Sequence, residues 1–202
     1  KYWTERMRGA VNTTVDSGVN LVSLGGSTAY NRFTYDPKTR TMSETVKWRD
    51  PTIRQSEGQL FGAQFFALGV KRDYVVKRAA EWPFSVLKKG EKIVGVVGRE
   101  VAAPVVFGKR PAVEVLAASS RVGERNIPAV ATYYTRPSGA GILNIGTSGW
   151  VCAIDNKCPW GHVFAIKTRR QIAAVTGAIF EGLTRGPLGK WRPATIDIPA
   201  QP

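Results

Sequence analysis

The chain has 202 residues, 43% of them hydrophobic. That suffices for one domain with a real core and argues against disorder. A formal charge of +14, from 29 basic and 15 acidic residues, invites anionic partners. The cations lie in scattered pairs such as Lys71-Arg72, Lys88-Lys89 and Arg169-Arg170, with no nucleic-acid motif, so they read as a solvated basic surface and nucleic acid is not an expected partner. No window approaches the ~20 apolar residues of a membrane span.

The chain opens on Lys1 without Met, which reads as a processed chain or a fragment. Thr4 to Ser17 predicts a helix. Thr4 is the N-cap, Met7, Ala10, Val11, Thr14 and Val15 share the apolar face, and Gly18 is the stop. Val19 to Leu24 predicts a buried strand, and Gly25-Gly26-Ser27-Thr28 a sharp turn that presents Tyr30 and forms the floor of a site. Asn31–Tyr35 and Thr41–Trp48 predict a hairpin turning at Asp36-Pro37-Lys38. Arg49 to Val70 has no clear period.

Ile93 to Val97 predicts a second buried strand with Glu100 just past its end, either as a working carboxylate or paired with Arg99. Val113–Ser119, Ala129–Thr135 and Gly141–Ile145 predict further strands, the last two an antiparallel meander. Thr168 to Leu183 predicts a helix opened by a Thr168/Gln171 capping box, with Ile172, Val175, Ile179 and Leu183 on one face. Residues 1–185 are thus expected to form one α/β domain and residues 186–202 a Pro-rich extended tail. Val19–Leu24 calls for parallel neighbours on both sides, so the domain is expected to lack its first strands here.

Serine–histidine catalysis has little support: His162 is the single histidine and there is no G-x-S-x-G turn. Cys152 and Cys158 predict a local disulfide, and with it an extracytoplasmic or secreted location; two free cytosolic thiols are the alternative. Tyr2, Tyr30 and Glu100 each flank a predicted element where they could face one pocket. Phenolate and carboxylate are hard oxygen donors, suited to ferric iron rather than zinc. For any single tyrosine, core packing with a satisfied hydroxyl is the other reading.

Short motifs follow one another along the chain: Tyr2-Trp3-Thr4-Glu5-Arg6-Met7-Arg8, Asp16-Ser17-Gly18-Val19-Asn20-Leu21, Gly25-Gly26-Ser27-Thr28-Ala29-Tyr30-Asn31-Arg32, Trp48-Arg49-Asp50-Pro51 and Gly98-Arg99-Glu100. Thr132-Tyr133-Tyr134-Thr135 and Gly146-Thr147-Ser148-Gly149-Trp150 come after them. In this order they resemble the catalytic domain of the large (β) subunit of N,N-dimethylformamidase and its relatives. The chain departs from that pattern at Lys1, where the family has an acid, at Ser27 for asparagine and at Asn31 for tryptophan.

The resemblance implies a three-layer, glutamine amidotransferase-like (flavodoxin-like) α/β sheet with antiparallel additions. It implies iron (Fe3+) held by Tyr2, Tyr30 and Glu100, with Tyr30 and Glu100 also catalytic, and hydrolysis of the C–N bond of a small amide. It implies a partner as well: the amino-terminal portion of a parent protein, or another chain completing the domain; a homo-oligomer is compatible with it. A reading of another class is a non-catalytic domain whose basic surface holds an anionic envelope polymer or a partner protein.

Overall fold

The computed structural model describes residues 1–104, 109–124 and 126–200. In chain order it contains β1 (Tyr2–Trp3), α1 (Glu5–Asp16), β2 (Leu21–Ser23), β3 (Asn31–Asp36), β4 (Thr41–Lys47), α2 (Gly58–Phe61) and β5 (Ala63–Val76). Then come β6 (Lys92–Pro104), β7 (Glu114–Val122), β8 (Ile127–Thr135), β9 (Gly141–Asn144), α3 (Gly149–Asp155) and α4 (Ile166–Leu183). These form a mixed α/β domain with a six-stranded sheet in the order β2-β9-β8-β7-β5-β6 and a three-stranded sheet in the order β1-β3-β4. No helix among the described residues is long and apolar enough to cross a membrane.

Strand alternation divides the core. Tyr133 and Leu143 face a large cluster with Trp150 of α3 and Ile172, Val175 and Ile179 of α4. Their chain neighbours Tyr134 and Ile142 face the other way, into a smaller cluster with Val15 of α1 and Leu60 and Phe61 of α2. A side-chain period of two thus covers both faces of the sheet with helices.

Strand pairing departs from the expectation that Val19–Leu24 has parallel neighbours on both sides. Among the described residues β2 with β9 and β1 with β3 pair in parallel, and the other strand pairs are antiparallel. The Val19–Leu24 run, expected in the middle of a sheet, supplies a three-residue strand at its edge. Val19 is 52% exposed. The unassigned stretch becomes the turns, α2 and the start of the long β5, whose pairing with β6 is broken by three register shifts.

Local signals hold better. Thr4 caps α1, its Oγ1 accepting from Met7 N at 3.1 Å, and the chain leaves the helix through Gly18 at φ 99°. The buried α1 residues, however, are Arg8 and Val15, and Met7 is exposed. Asp36 closes the β3–β4 turn by accepting from Lys38 N at 2.8 Å. The Thr168/Gln171 box is not a cap: α4 starts at Ile166, Thr168 Oγ1 donates to Val94 O and Gln171 Nε2 to Glu91. Both side chains tie α4 to the start of β6.

The Cys152–Cys158 bridge is not formed. Cys152 lies inside α3 with a buried side chain, Cys158 follows the α3 C-cap Asn156, and both are free thiols. Their side chains meet through a hydrogen bond. Burial first, and that contact second, push the Cys152 thiol up to about 12.

The segment from Gly186 onward is held along the domain. Asn20 Oδ1 accepts from both Gly141 N and Leu188 N at 2.9 Å, and Leu188 is fully buried. Arg192 grips the buried Glu114 with two hydrogen bonds, 2.9 and 2.8 Å, and lies 2.8 Å from Glu81. Ile198 bridges to Val113. Gln201 and Pro202 lie outside the described residues.

Candidate functional site

β1 lies parallel to β3 with Tyr2 opposite Asn31. Lys1 O accepts from Tyr30 N at 3.0 Å and from Asn31 N at 3.1 Å, which sets the two tyrosine-bearing segments side by side. Tyr2 is 46% exposed and Tyr30 partly buried. Neither is core filler. That role falls to Tyr74, Tyr133 and Tyr134, which are buried with hydroxyls on the backbone carbonyls of Ile145, Arg192 and Leu60.

Glu100 is not beyond the strand end but inside β6, at an irregularity. Arg99 takes φ 55° there, and the register shifts across Leu68 and Val70 on β5. A bulge of this kind re-aims a side chain within a paired strand. The apolar run stops before Gly98, yet backbone pairing continues to Pro104, so hydrophobicity alone misplaces the end. The glycine turn packs directly on this point: a Cβ on Gly26 would lie 2.0 Å from Glu100 O. Ser27 Oγ donates to Glu100 Oε2 at 2.7 Å, and Ser148 N donates to Glu100 O at 3.0 Å.

The expected Arg99 partner is elsewhere, its guanidinium over Trp160. Glu100 Oε1 instead accepts from Lys1 Nζ at 2.8 Å. Burial opposes ionisation of Glu100, but the Lys1 and Ser27 hydrogen bonds outweigh it and hold the carboxyl below its ordinary range. Lys1 is raised in turn, first by that hydrogen bond against the cost of burial, then by the charges of Glu100, Tyr2 and Tyr30. Glu100 is thus paired with the Lys1 ammonium, and the Lys1 carbonyl binds the backbone of the Tyr30 segment.

Tyr30 is fixed from below. Its ring meets Phe65 at 4.8 Å and the Arg49 guanidinium at 4.9 Å. Arg49 is held by the buried carboxylate of Glu57 and donates to Phe65 O at 2.7 Å. Burial raises Glu57 and Arg49 opposes the rise. Beside this pair Arg8, 3% exposed, lies 4.7 Å from the Trp48 ring and donates to Ser56 O at 2.8 Å. Burial pushes its guanidinium down to about 10. Sequence reasoning did not single out Lys1, Ser27, Arg49 or Glu57 as site residues. The signal available was the position of Arg8 and Trp48-Arg49 in the recurring motifs.

Fold and contacts together define a mixed α/β domain in which Lys1 links the Glu100 carboxylate to the segment bearing Tyr30. Among the described residues no three His, Cys, Asp or Glu side chains come together as a metal-ligand set. The chain belongs to the N,N-dimethylformamidase beta subunit-like family, whose C-terminal region matches residues 1–160. That span holds Tyr2, Tyr30 and Glu100. No curated protein matches the sequence.

Proposed function

We propose that this domain is a C–N hydrolase of small amides, with a ferric ion held by Tyr2, Tyr30 and Glu100. Family membership supports the reaction class. The observation that carries the metal reading is that Glu100 already binds a cation, the Lys1 ammonium at 2.8 Å, while Lys1 O binds the backbone of the Tyr30 segment. Two phenols and a carboxylate make a hard-oxygen donor set that suits a hard trivalent ion. When bound there, ferric iron supplies Lewis acidity toward the amide carbonyl and toward water.

The protein's own groups prepare the place. Ser27 and Ser148 occupy Glu100 Oε2 at 2.7 and 3.4 Å, leaving Oε1 as the oxygen directed at the cation. Phe65 and Arg49 fix the plane of the Tyr30 ring. Lys1, with a side chain 39% exposed, has room to swing out and leave the three oxygens to another cation. The matched region is the C-terminal one of its family, which supports a partner segment preceding it in the same or another chain. We read the helix layers on both faces and the parallel β2–β9 pair as the part of an amidotransferase-like sheet that such a segment extends.

The test is metal content together with colour. Protein reconstituted with ferric iron is expected to hold about one iron per chain, to show a tyrosinate-to-iron absorption, and to release dimethylamine from N,N-dimethylformamide. Tyr30→Phe should weaken the absorption, and Glu100→Gln should lower iron content. Absence of iron after reconstitution, or colour unchanged in both Tyr2→Phe and Tyr30→Phe, would overturn the reading.

A further inference from the structure

A cavity of about 400 Å³ opens beside β6, walled by Lys71, Arg99, Trp160, His162 and Phe164, with glycine backbone completing much of the rest. Its volume lies in the range of small-molecule sites. None of its lining residues is acidic. The nearby Asp73 is engaged with Gly95 N at 2.8 Å. Among the described residues neither Lys71 nor Arg99 has an ion-pair partner. Two cations thus border a cavity that contains no counter-charge.

The other half is aromatic. The Arg99 guanidinium lies 5.3 Å from the Trp160 ring, and His162 stands edge-on to Phe164 at 4.4 Å. Burial, and then the Lys71 ammonium, lower the His162 imidazole, which leaves it an uncharged donor and acceptor near neutral pH. Arg99 holds φ 55°, a backbone angle that costs a non-glycine residue energy and recurs at ligand sites.

We propose that this cavity binds a small planar aromatic carboxylate. The ring packs against Trp160 and Phe164, and the carboxylate meets Lys71 and Arg99. Cations on one side and aromatic faces on the other match a ligand whose charge and apolar surface sit at opposite ends. A bare inorganic anion would leave the aromatic half unused, and a neutral ring would leave the cations unmatched. The site requires no metal, and none of Tyr2, Tyr30 and Glu100 lines it, although Arg99 and Glu100 are chain neighbours.

The test is calorimetric titration at physiological salt, which limits non-specific attraction to a basic surface. The probe is benzoate; benzamide lacks its charge and cyclohexanecarboxylate its aromatic face. Benzoate should bind saturably at one site per chain, with both analogues about tenfold weaker or more. Lys71→Gln, at an exposed position, should weaken benzoate about fivefold or more while leaving the melting temperature unchanged. Trp160→Leu should weaken it similarly, and if that variant misfolds Lys71→Gln carries the test. Binding should persist after chelation of metal. Benzamide binding as tightly as benzoate, unchanged affinity in Lys71→Gln, no saturable binding, or loss of binding on chelation would each overturn the proposal.

Discussion

Gly26→Ala tests whether the glycine turn and the strand bearing Glu100 are locked together. The added Cβ would lie 2.0 Å from Glu100 O, 2.5 Å from its carbonyl carbon and 2.9 Å from Val101 N, all backbone atoms that cannot rotate away. The segments must therefore separate from 2.0 Å to beyond 3.0 Å at the tightest point. Overpacking of this kind costs about 1–3 kcal/mol. Separation also strains the Ser27–Glu100 hydrogen bond, 2.7 Å long, to a carboxylate that is only partly exposed. A hydrogen bond to a charged group contributes about 1.5–3 kcal/mol, of which part is lost. A total near 3 kcal/mol should lower the urea midpoint by about 1–1.5 M. Gly9→Ala is the control: it lies exposed within α1 with nothing within 4 Å of its would-be Cβ. It should stabilise by about 0.5–1 kcal/mol. Equal midpoints for Gly26→Ala and wild type would refute the close approach.

Lys1→Gln should flatten both limbs of the pH–stability profile. Glu100 is depressed in the folded state, so its contribution is present above the unfolded carboxyl pKa and lost as pH falls through the folded value. Lys1 is raised, so its contribution is present below the unfolded lysine pKa and lost as pH rises through the folded value. Urea melts at a series of pH values would show it, and unchanged limbs would count against the pair. Arg192→Met strips Glu114, fully buried, of a bidentate partner and should cost about 3–5 kcal/mol by chemical denaturation. A cost below ~1 kcal/mol would show that the contact is not what holds this segment. Iodoacetamide should label Cys158 well before Cys152, whose thiol is buried and pushed up to about 12. Mass spectrometry of the labelled peptides decides the order, and faster labelling of Cys152 would contradict its burial.

What the sequence disclosed is what is written locally. The Thr4 cap, the Asp36 turn and the β8–β9 meander each depend on residues a few positions apart, and each forms as expected. The pairing partner of β2 is β9, well over a hundred residues later, and no local pattern names it. β5 was hidden because its register shifts break the period of two that marks a strand. The same irregularity hid the place of Glu100. Arg8 misled in another way: a charged residue is expected at the surface, but stacking on Trp48 and a carbonyl partner let it be buried. Tyr2, Tyr30 and Glu100 stood out in the sequence as hard oxygen donors flanking predicted elements, although Glu100 lies inside β6. The Lys1–Glu100 pair did not, since Lys1 meets Glu100 from 99 positions away.

The grip of Arg192 on Glu114 also sets an order of events in time. The two residues are 78 positions apart. At a synthesis rate of about 5–20 residues per second, Glu114 emerges about 4–16 s before its partner exists. Until then the cation already made near Glu114 is Arg78, whose Nε lies 3.6 Å from Oε1. The bidentate clasp on that buried carboxylate is therefore closed by a side chain made late.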